Sequence, residues 1–115
     1  MENKLHVVPK SWGFEKWIVN NEKYCGKLLY IIKGYGCSWH YHRIKDETFY
    51  IQKGEIKLYY GYDSDFSKAS SIILKEGDTY HIPTGLIHKM VAIKDTELFE
   101  FSTQHFDSDS IRIES

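Results

Sequence analysis

A chain of 115 residues is close to the usual domain size and has no room for a second hydrophobic core, so residues 1–115 are expected to form one domain. Its composition, 42% hydrophobic and 16% aromatic with nine Tyr and three Trp, favours strands over long helices. Fifteen basic against sixteen acidic residues give a net charge of −1, and the scatter of the basic ones argues against nucleic acid and anionic membrane as partners.

The opening MENKLHVVPK has no apolar leader, which sets the expectation of a cytoplasmic protein. Strands are predicted over 14–19, 24–32, 37–42, 47–52, 56–60, 71–74, 79–82, 89–93 and 97–103, because short runs of β-branched and aromatic residues recur there. Turn signals separate them at Asn20-Asn21, Lys53-Gly54, Gly77-Asp78 and Lys94-Asp95. One long polar connection, YDSDFSKASS at 62–71, reads as a surface loop with a turn of helix at most, or as a mobile lid. No apolar run is long enough to cross a bilayer. The two cysteines, Cys25 and Cys37, have no CxxC spacing, as expected in a reducing compartment. A chain of this size folds without a structural metal, so any metal it binds is expected to be functional. Nine short strands predict an all-β sandwich or barrel, and exposed β edges with outward aromatics make a homodimer the expected assembly.

The stretch HYHRIKDE, residues 40–47, carries the strongest chemical signal. Side chains alternate on a strand, so His40 and His42 share one face while Trp39 and Tyr41 take the other. Glu47 has the wrong parity for the histidine face, and joins it only if Arg43 to Asp46 form an irregular turn. Glu47, Phe49 and Ile51 then point inward, and Thr48, Tyr50 and Gln52 outward. Two imidazoles and a carboxylate converging in an apolar barrel suit a divalent ion such as Zn, Fe, Mn or Ni. His88, just past the Pro83-Thr84-Gly85 turn, is the candidate fourth ligand. His81 alternates with Tyr80 and Ile82, and is expected to face out of the barrel.

These residues carry a resemblance. Gly34, five residues, His40-x-His42, four residues, Glu47, six residues and Gly54 resemble the first cupin motif. Gly77, five residues, Pro83-x-Gly85, two residues and His88 resemble the second, with Ala92 where the family often has Asn. The resemblance implies a double-stranded β-helix, the jelly-roll barrel of cupins, with His40, His42, Glu47 and His88 as metal ligands. Within cupins, the chain is similar to the small domain of bacterial type II mannose-6-phosphate isomerases. Lys10-Ser11-Trp12-Gly13 is similar to that family's Arg-Pro-Trp-Gly element, the register from Lys27 to Gly54 is kept without a gap, and EFSTQHFDSDSIR at 100–112 resembles its closing segment. His40 stands where that family usually has Gln.

The second resemblance implies an aldose–ketose isomerase or epimerase acting on a sugar or sugar phosphate, in which a cation stabilises the enediolate formed as a proton moves between adjacent carbons. Lys27, placed near the barrel mouth by the resemblance, is then a candidate substrate holder or general acid, or else a solvated strand-end lysine. Glu100 is a candidate base, and His105 is expected near it at the open end, either as a catalytic group or as its hydrogen-bonded partner. Arg112 is a candidate for an anionic group, whereas Arg43 is assigned to the surface and His6 has a weaker claim. Two other functions compete. Three histidines and a glutamate also occur in Fe(II)-dependent cupin oxygenases, and the barrel would equally serve as a non-catalytic carbohydrate- or metabolite-binding module.

Overall fold

The computed structural model describes residues 5–113 and is built from strands, with only two single-turn 3-10 helices among the described residues. In chain order the strands are β1 (His6–Lys10), β2 (Gly13–Asn20), β3 (Cys25–Ile31), β4 (His40–His42), β5 (Glu47–Lys53), β6 (Glu55–Gly61), β7 (Ser70–Lys75), β8 (Thr79–Ile82), β9 (Ile87–Ala92), β10 (Thr96–Ser102) and β11 (Ser110–Arg112). They form two antiparallel sheets, ordered β1-β2-β3-β10-β5-β8 and β11-β4-β9-β6-β7, which face one another as the expected jelly-roll barrel. No helix among the described residues is long and apolar enough to cross a membrane.

The inward face of each strand changes character along the barrel axis. At one end lie Ile31, Ile51, Ile56, Leu58 and Leu98, all buried, so β-branched and leucine side chains close the barrel with an apolar plug. Two residues along, the inward positions of β3 and β10 become charged, while β5 keeps Phe49 and turns polar at Glu47. Leu29, Leu98 and Ile51 occupy one register row, and Lys27, Glu100 and Phe49 the next. On the facing sheet β9 runs from Ala92 and Met90 to His88. This gradient puts the buried polar groups at the open end and the apolar plug at the other.

Two strands lie outside the sequence-based prediction. β1 pairs with β2 in a hairpin from His6↔Trp17 to Lys10↔Gly13, and β11 pairs with β4 through Ser110↔His42 and Arg112↔His40. The predicted strand over 37–42 shortens to His40–His42. Its lead-in instead touches β9 through a single bridge, Gly36↔Val91. A Cβ on Gly36 would sit 1.8 Å from the Met90 carbonyl oxygen, so only glycine lets the backbones approach this closely.

The polar connection over 62–71 carries one 3-10 turn, Phe66–Lys68, capped by the Asp65 carboxylate. It docks on the outside of the barrel. Trp39 Nε1 donates to the Ser64 carbonyl at 3.0 Å, the Trp39 and Phe66 rings meet edge-on at 5.2 Å, and none of the loop lines the central cavity. It is a cover for Trp39, not a lid over the barrel.

Candidate metal centre

The β4–β9 pairing places His40 directly opposite His88, and His42 lies two residues further along β4 on the same face. One ring nitrogen from each of the three lies within 4.8 Å of the others. Glu47 approaches from the facing sheet, its Oε2 at 3.3 Å from both His42 Nε2 and His88 Nε2. The turn at Arg43 to Asp46 thus brings Glu47 to the histidine face, and the alternating burial along β5 matches the expected inward and outward sets.

The rings are fixed from behind. His40 Nδ1 lies 2.7 Å from the Ser38 carbonyl, His42 Nδ1 3.2 Å from that of Asp109 and His88 Nδ1 3.0 Å from that of Leu86. A carbonyl only accepts, so each Nδ1 carries a hydrogen and each Nε2 is the nitrogen turned toward the cavity, where it could meet a metal. Backbone carbonyls behind metal-binding imidazoles orient rings in this way. Burial, with His88 beside it, lowers the His40 pKa to about 3, so its ring is neutral. Burial pushes the Glu47 carboxyl up, but His42, His88 and Lys45 outweigh that and hold it well below the usual range. Glu47 Oε2 is enclosed and accepts no hydrogen bond among the described residues. Three imidazole nitrogens gathered within 4.8 Å of one another, with the Glu47 carboxylate beside two of them, make a donor set that fits a borderline divalent ion.

The buried neutral state of His40 has a consequence for the metal-free protein. Its unfolded value is near 6.5 and its folded value near 3, so between those values the unfolded chain binds more protons and acid favours unfolding. The stabilising contribution is present above pH 6.5 and lost as pH falls toward 3, at no more than about 1.4 kcal/mol per pH unit for one site. Thermal melts of the metal-free protein are expected to fall over this window, and less steeply in His40→Gln. Parallel slopes would show that His40 is not the group that titrates.

Beside the histidines lies a second polar cluster. Lys45 is 3% exposed, and its Nζ donates to Glu100 Oε2 at 2.9 Å and lies 3.7 Å from Glu47 Oε1. Burial works against the Lys45 charge, but the two carboxylates hold its pKa above the usual value. Glu100 is pushed up by burial and by Glu47, against the opposing pull of Lys45 and Lys27. His105 Nδ1 is 3.3 Å from Lys45 Nζ, and its Nε2 is 2.9 Å from Asp107 Oδ1. His105 and Glu100 are therefore linked through Lys45 and do not form the direct pair considered from the sequence.

Lys27 is not a solvated strand-end lysine. It is 1% exposed and points into the barrel, with Nζ 3.5 Å from Glu15 Oε1 and 4.2 Å from the centre of the Trp17 ring. Arg112 is exposed on β11, opposite His40, and lines the mouth of the cavity. Arg43 is also exposed, and His81 faces outward to pair with Asp46 at 2.9 Å. His6 packs against Trp17, with ring centres 5.2 Å apart.

Sequence reasoning did not single out Lys45, Glu15 or Asp109. Glu15 and Trp17 share a strand face by parity, which was a usable signal. Asp109 had none. Its carboxylate accepts the backbone N–H groups of Arg43, Ile44 and Lys45 at 2.9 to 3.0 Å, while its carbonyl holds His42. One residue of the closing segment thus fixes both the strand that carries the candidate ligands and the turn that delivers Lys45.

All four candidate ligands, with Lys27, Glu100, His105 and Arg112, line one cavity of about 1230 Å³. Among solved structures the chain is similar to CapF, the capsular polysaccharide assembling protein from Staphylococcus aureus, at 16% identity and a TM-score of 0.82 over 97% of this chain and 35% of that one. It is also similar to KdgF from Halomonas sp., at 17% identity and a TM-score of 0.71 over 83% of this chain and 81% of the other. Oxalate decarboxylase from Bacillus subtilis matches at 17% identity and a TM-score of 0.80 over 94% of this chain. The chain spans 35% of CapF and 30% of oxalate decarboxylase, and at these identities the likeness shows the fold. No curated protein matches the chain. Residues 27–101 match the family model described as the cupin domain, a span that runs from the buried lysine of β3 to the penultimate residues of β10, and the chain belongs to the cupin family.

Proposed function

We propose that this cupin is a metal-dependent enzyme that moves a proton between adjacent carbons of a sugar or sugar phosphate, as an isomerase or epimerase. The observation that carries this reading is the presence, in one cavity, of two separate devices. One is the donor set of His40, His42, His88 and Glu47. The other is the acid–base cluster of Glu100, Lys45 and His105 beside it. Support for the metal also comes from oxalate decarboxylase, a structural neighbour with Mn(II) centres. A divalent ion held by the four ligands supplies Lewis acidity to adjacent carbonyl and hydroxyl oxygens of a substrate.

The chain's own residues supply the proton chemistry. Glu100 Oε2 is engaged by Lys45, which leaves Oε1 to take a proton from the carbon beside the carbonyl. Its raised pKa brings the carboxylate closer to the strength that a base working near neutrality needs. Lys45, bonded to Glu100, keeps that carboxylate oriented, and His105 adds a second group that can hold a proton at Nδ1. The outward residues Tyr24, Phe101 and Ile18 are all more than half exposed, which supports the proposed homodimer.

The test is proton exchange in heavy water, followed by NMR, with protein reloaded separately with Zn, Mn, Ni and Fe and offered aldoses, ketoses and their phosphates. Deuterium is expected beside the carbonyl, with the rate reduced about 100-fold or more in Glu100→Gln at unchanged metal content. Absence of exchange with every metal would sink the reading. The three histidines and one glutamate also favour an Fe(II) oxygenase, and oxygen uptake by the Fe form without exchange would select it. Sugar binding with neither exchange nor oxygen uptake would select a binding module.

A further inference from the structure

The cavity holds two buried ammonium groups in unlike situations. Lys45 is consumed by the protein, bonded to Glu100 at 2.9 Å with His105 and Glu47 close by. Lys27 is equally buried, at 1% exposure, yet its nearest carboxylate oxygen among the described residues is Glu15 Oε1 at 3.5 Å. That is well beyond a charge-assisted N–H···O bond of about 2.7–2.9 Å. The same oxygen already accepts Trp17 Nε1 at 2.8 Å. The remaining neighbour of Lys27 is the face of Trp17, at 4.2 Å. Among the described residues, therefore, Nζ has only a loose carboxylate contact and a ring face as neighbours, which leaves it able to meet an anionic group in the cavity.

The charge balance points the same way. Within the barrel, Lys27 and Lys45 stand against Glu15, Glu47 and Glu100. A divalent ion on the histidines turns that excess of one negative charge into one positive charge. At the mouth, Lys10 and Arg112 outnumber Asp107, so the field at the entrance favours anions.

Lys27, Glu100 and Phe49 occupy successive strands in register, so at about 4.8 Å per strand Lys27 lies roughly 10 Å from Phe49. The Phe49 ring packs 6.1 Å from that of His88. The cavity thus has two poles, the Lys27 ammonium beside Trp17 and the histidines beyond Phe49.

We infer that the substrate is a sugar acid, whose carboxylate docks on Nζ of Lys27 beside Trp17 while its carbonyl end lies at the histidines. This rests on the function proposed above and narrows its substrate class. A phosphate dianion is usually met by several donors, such as an arginine fork or a nest of backbone N–H groups. The inner pole offers one ammonium and a ring face, which suits a carboxylate.

Isothermal titration of the Zn-loaded protein with glucose, glucuronate and glucose 6-phosphate tests this. Glucuronate is expected to bind about 10-fold or more tighter than glucose, the factor for one charge-assisted contact. Lys27→Met should abolish that advantage while leaving Zn affinity unchanged. Glu15→Gln, which keeps an acceptor for Trp17 but removes the competing charge, should strengthen glucuronate binding. Equal affinity for glucuronate and glucose, tighter binding of glucose 6-phosphate, or equal weakening of glucose and glucuronate in Lys27→Met would each overturn the inference. If Zn itself fails to bind, or no sugar binds, the proposed function falls with it. If neutral sugars bind and exchange protons without a carboxylate preference, only the sugar-acid assignment falls.

Discussion

Replacing Lys45 with Met is expected to destabilise the protein by about 3–5 kcal/mol at neutral pH, the range for breaking a buried ion pair by removing one partner. Lys45 Nζ lies 2.9 Å from Glu100 Oε2 and 3.7 Å from Glu47 Oε1, and all three groups are nearly inaccessible. Removing the ammonium leaves two carboxylates enclosed beside each other. Against a total stability of about 5–15 kcal/mol for a domain, a loss of this size is large. The defect has a pH signature. Burial and Glu47 already push the Glu100 pKa up, and without Lys45 it rises further. A folded-state carboxyl pKa above the unfolded value means that stability is lost as pH rises from the unfolded pKa through the folded one. The deficit should therefore be small near pH 4 and reach its full size above the raised Glu100 pKa. Lys45→Met combined with Glu100→Gln removes the stranded charge and should recover most of the loss. Urea denaturation of the three variants across pH measures this. A deficit independent of pH and not rescued by Glu100→Gln would mean that the lysine stem, not its charge, stabilises the barrel.

The residues that generate this pair show where the sequence stops being informative. His40 and His42 were legible from strand parity, whereas Glu47, of the wrong parity, and His88, on another strand, were legible through the two motif spacings that carry the resemblance. The all-β barrel was legible from the same parity, since each strand carries its own alternation. Lys45 was not, because a lysine in a polar turn ordinarily points to water. Here it points inward because its backbone is gripped by the Asp109 carboxylate, from a segment 64 residues further along the chain. β1 and β11 escaped notice for a related reason. HVVPK is mostly exposed, and SIR is three residues long, so neither has a buried face to impose alternation. Lys27 is the intermediate case. Its place on β3 was expected, but its burial depends on Glu15 and Trp17 arriving from β2, a pairing that parity suggests but does not establish.

His88→Ala is expected to reduce divalent metal affinity by more than the 10–100-fold that loss of an outer-sphere partner costs, while the metal-free fold survives. The ring is 1% exposed, yet it sits at the polar end of the barrel, where His40 and Glu47 are its neighbours, away from the apolar plug of Ile51, Ile56, Leu58 and Leu98. Truncation removes one hydrogen bond, to the Leu86 carbonyl, worth about 1 kcal/mol, and it removes one nitrogen of the donor set. Metal binding to the folded state alone stabilises by about 2.7 kcal/mol at a free concentration of 100 Kd. Wild type should therefore melt markedly higher with Zn, and His88→Ala should show almost no such shift at the same Zn concentration. The two effects separate ligand from scaffold. A metal-free variant that melts far below metal-free wild type, with its Zn-dependent shift intact, would make His88 a packing residue and leave the ion to other groups. A variant that matches metal-free wild type but has lost the Zn-dependent shift would assign the imidazole to the ion.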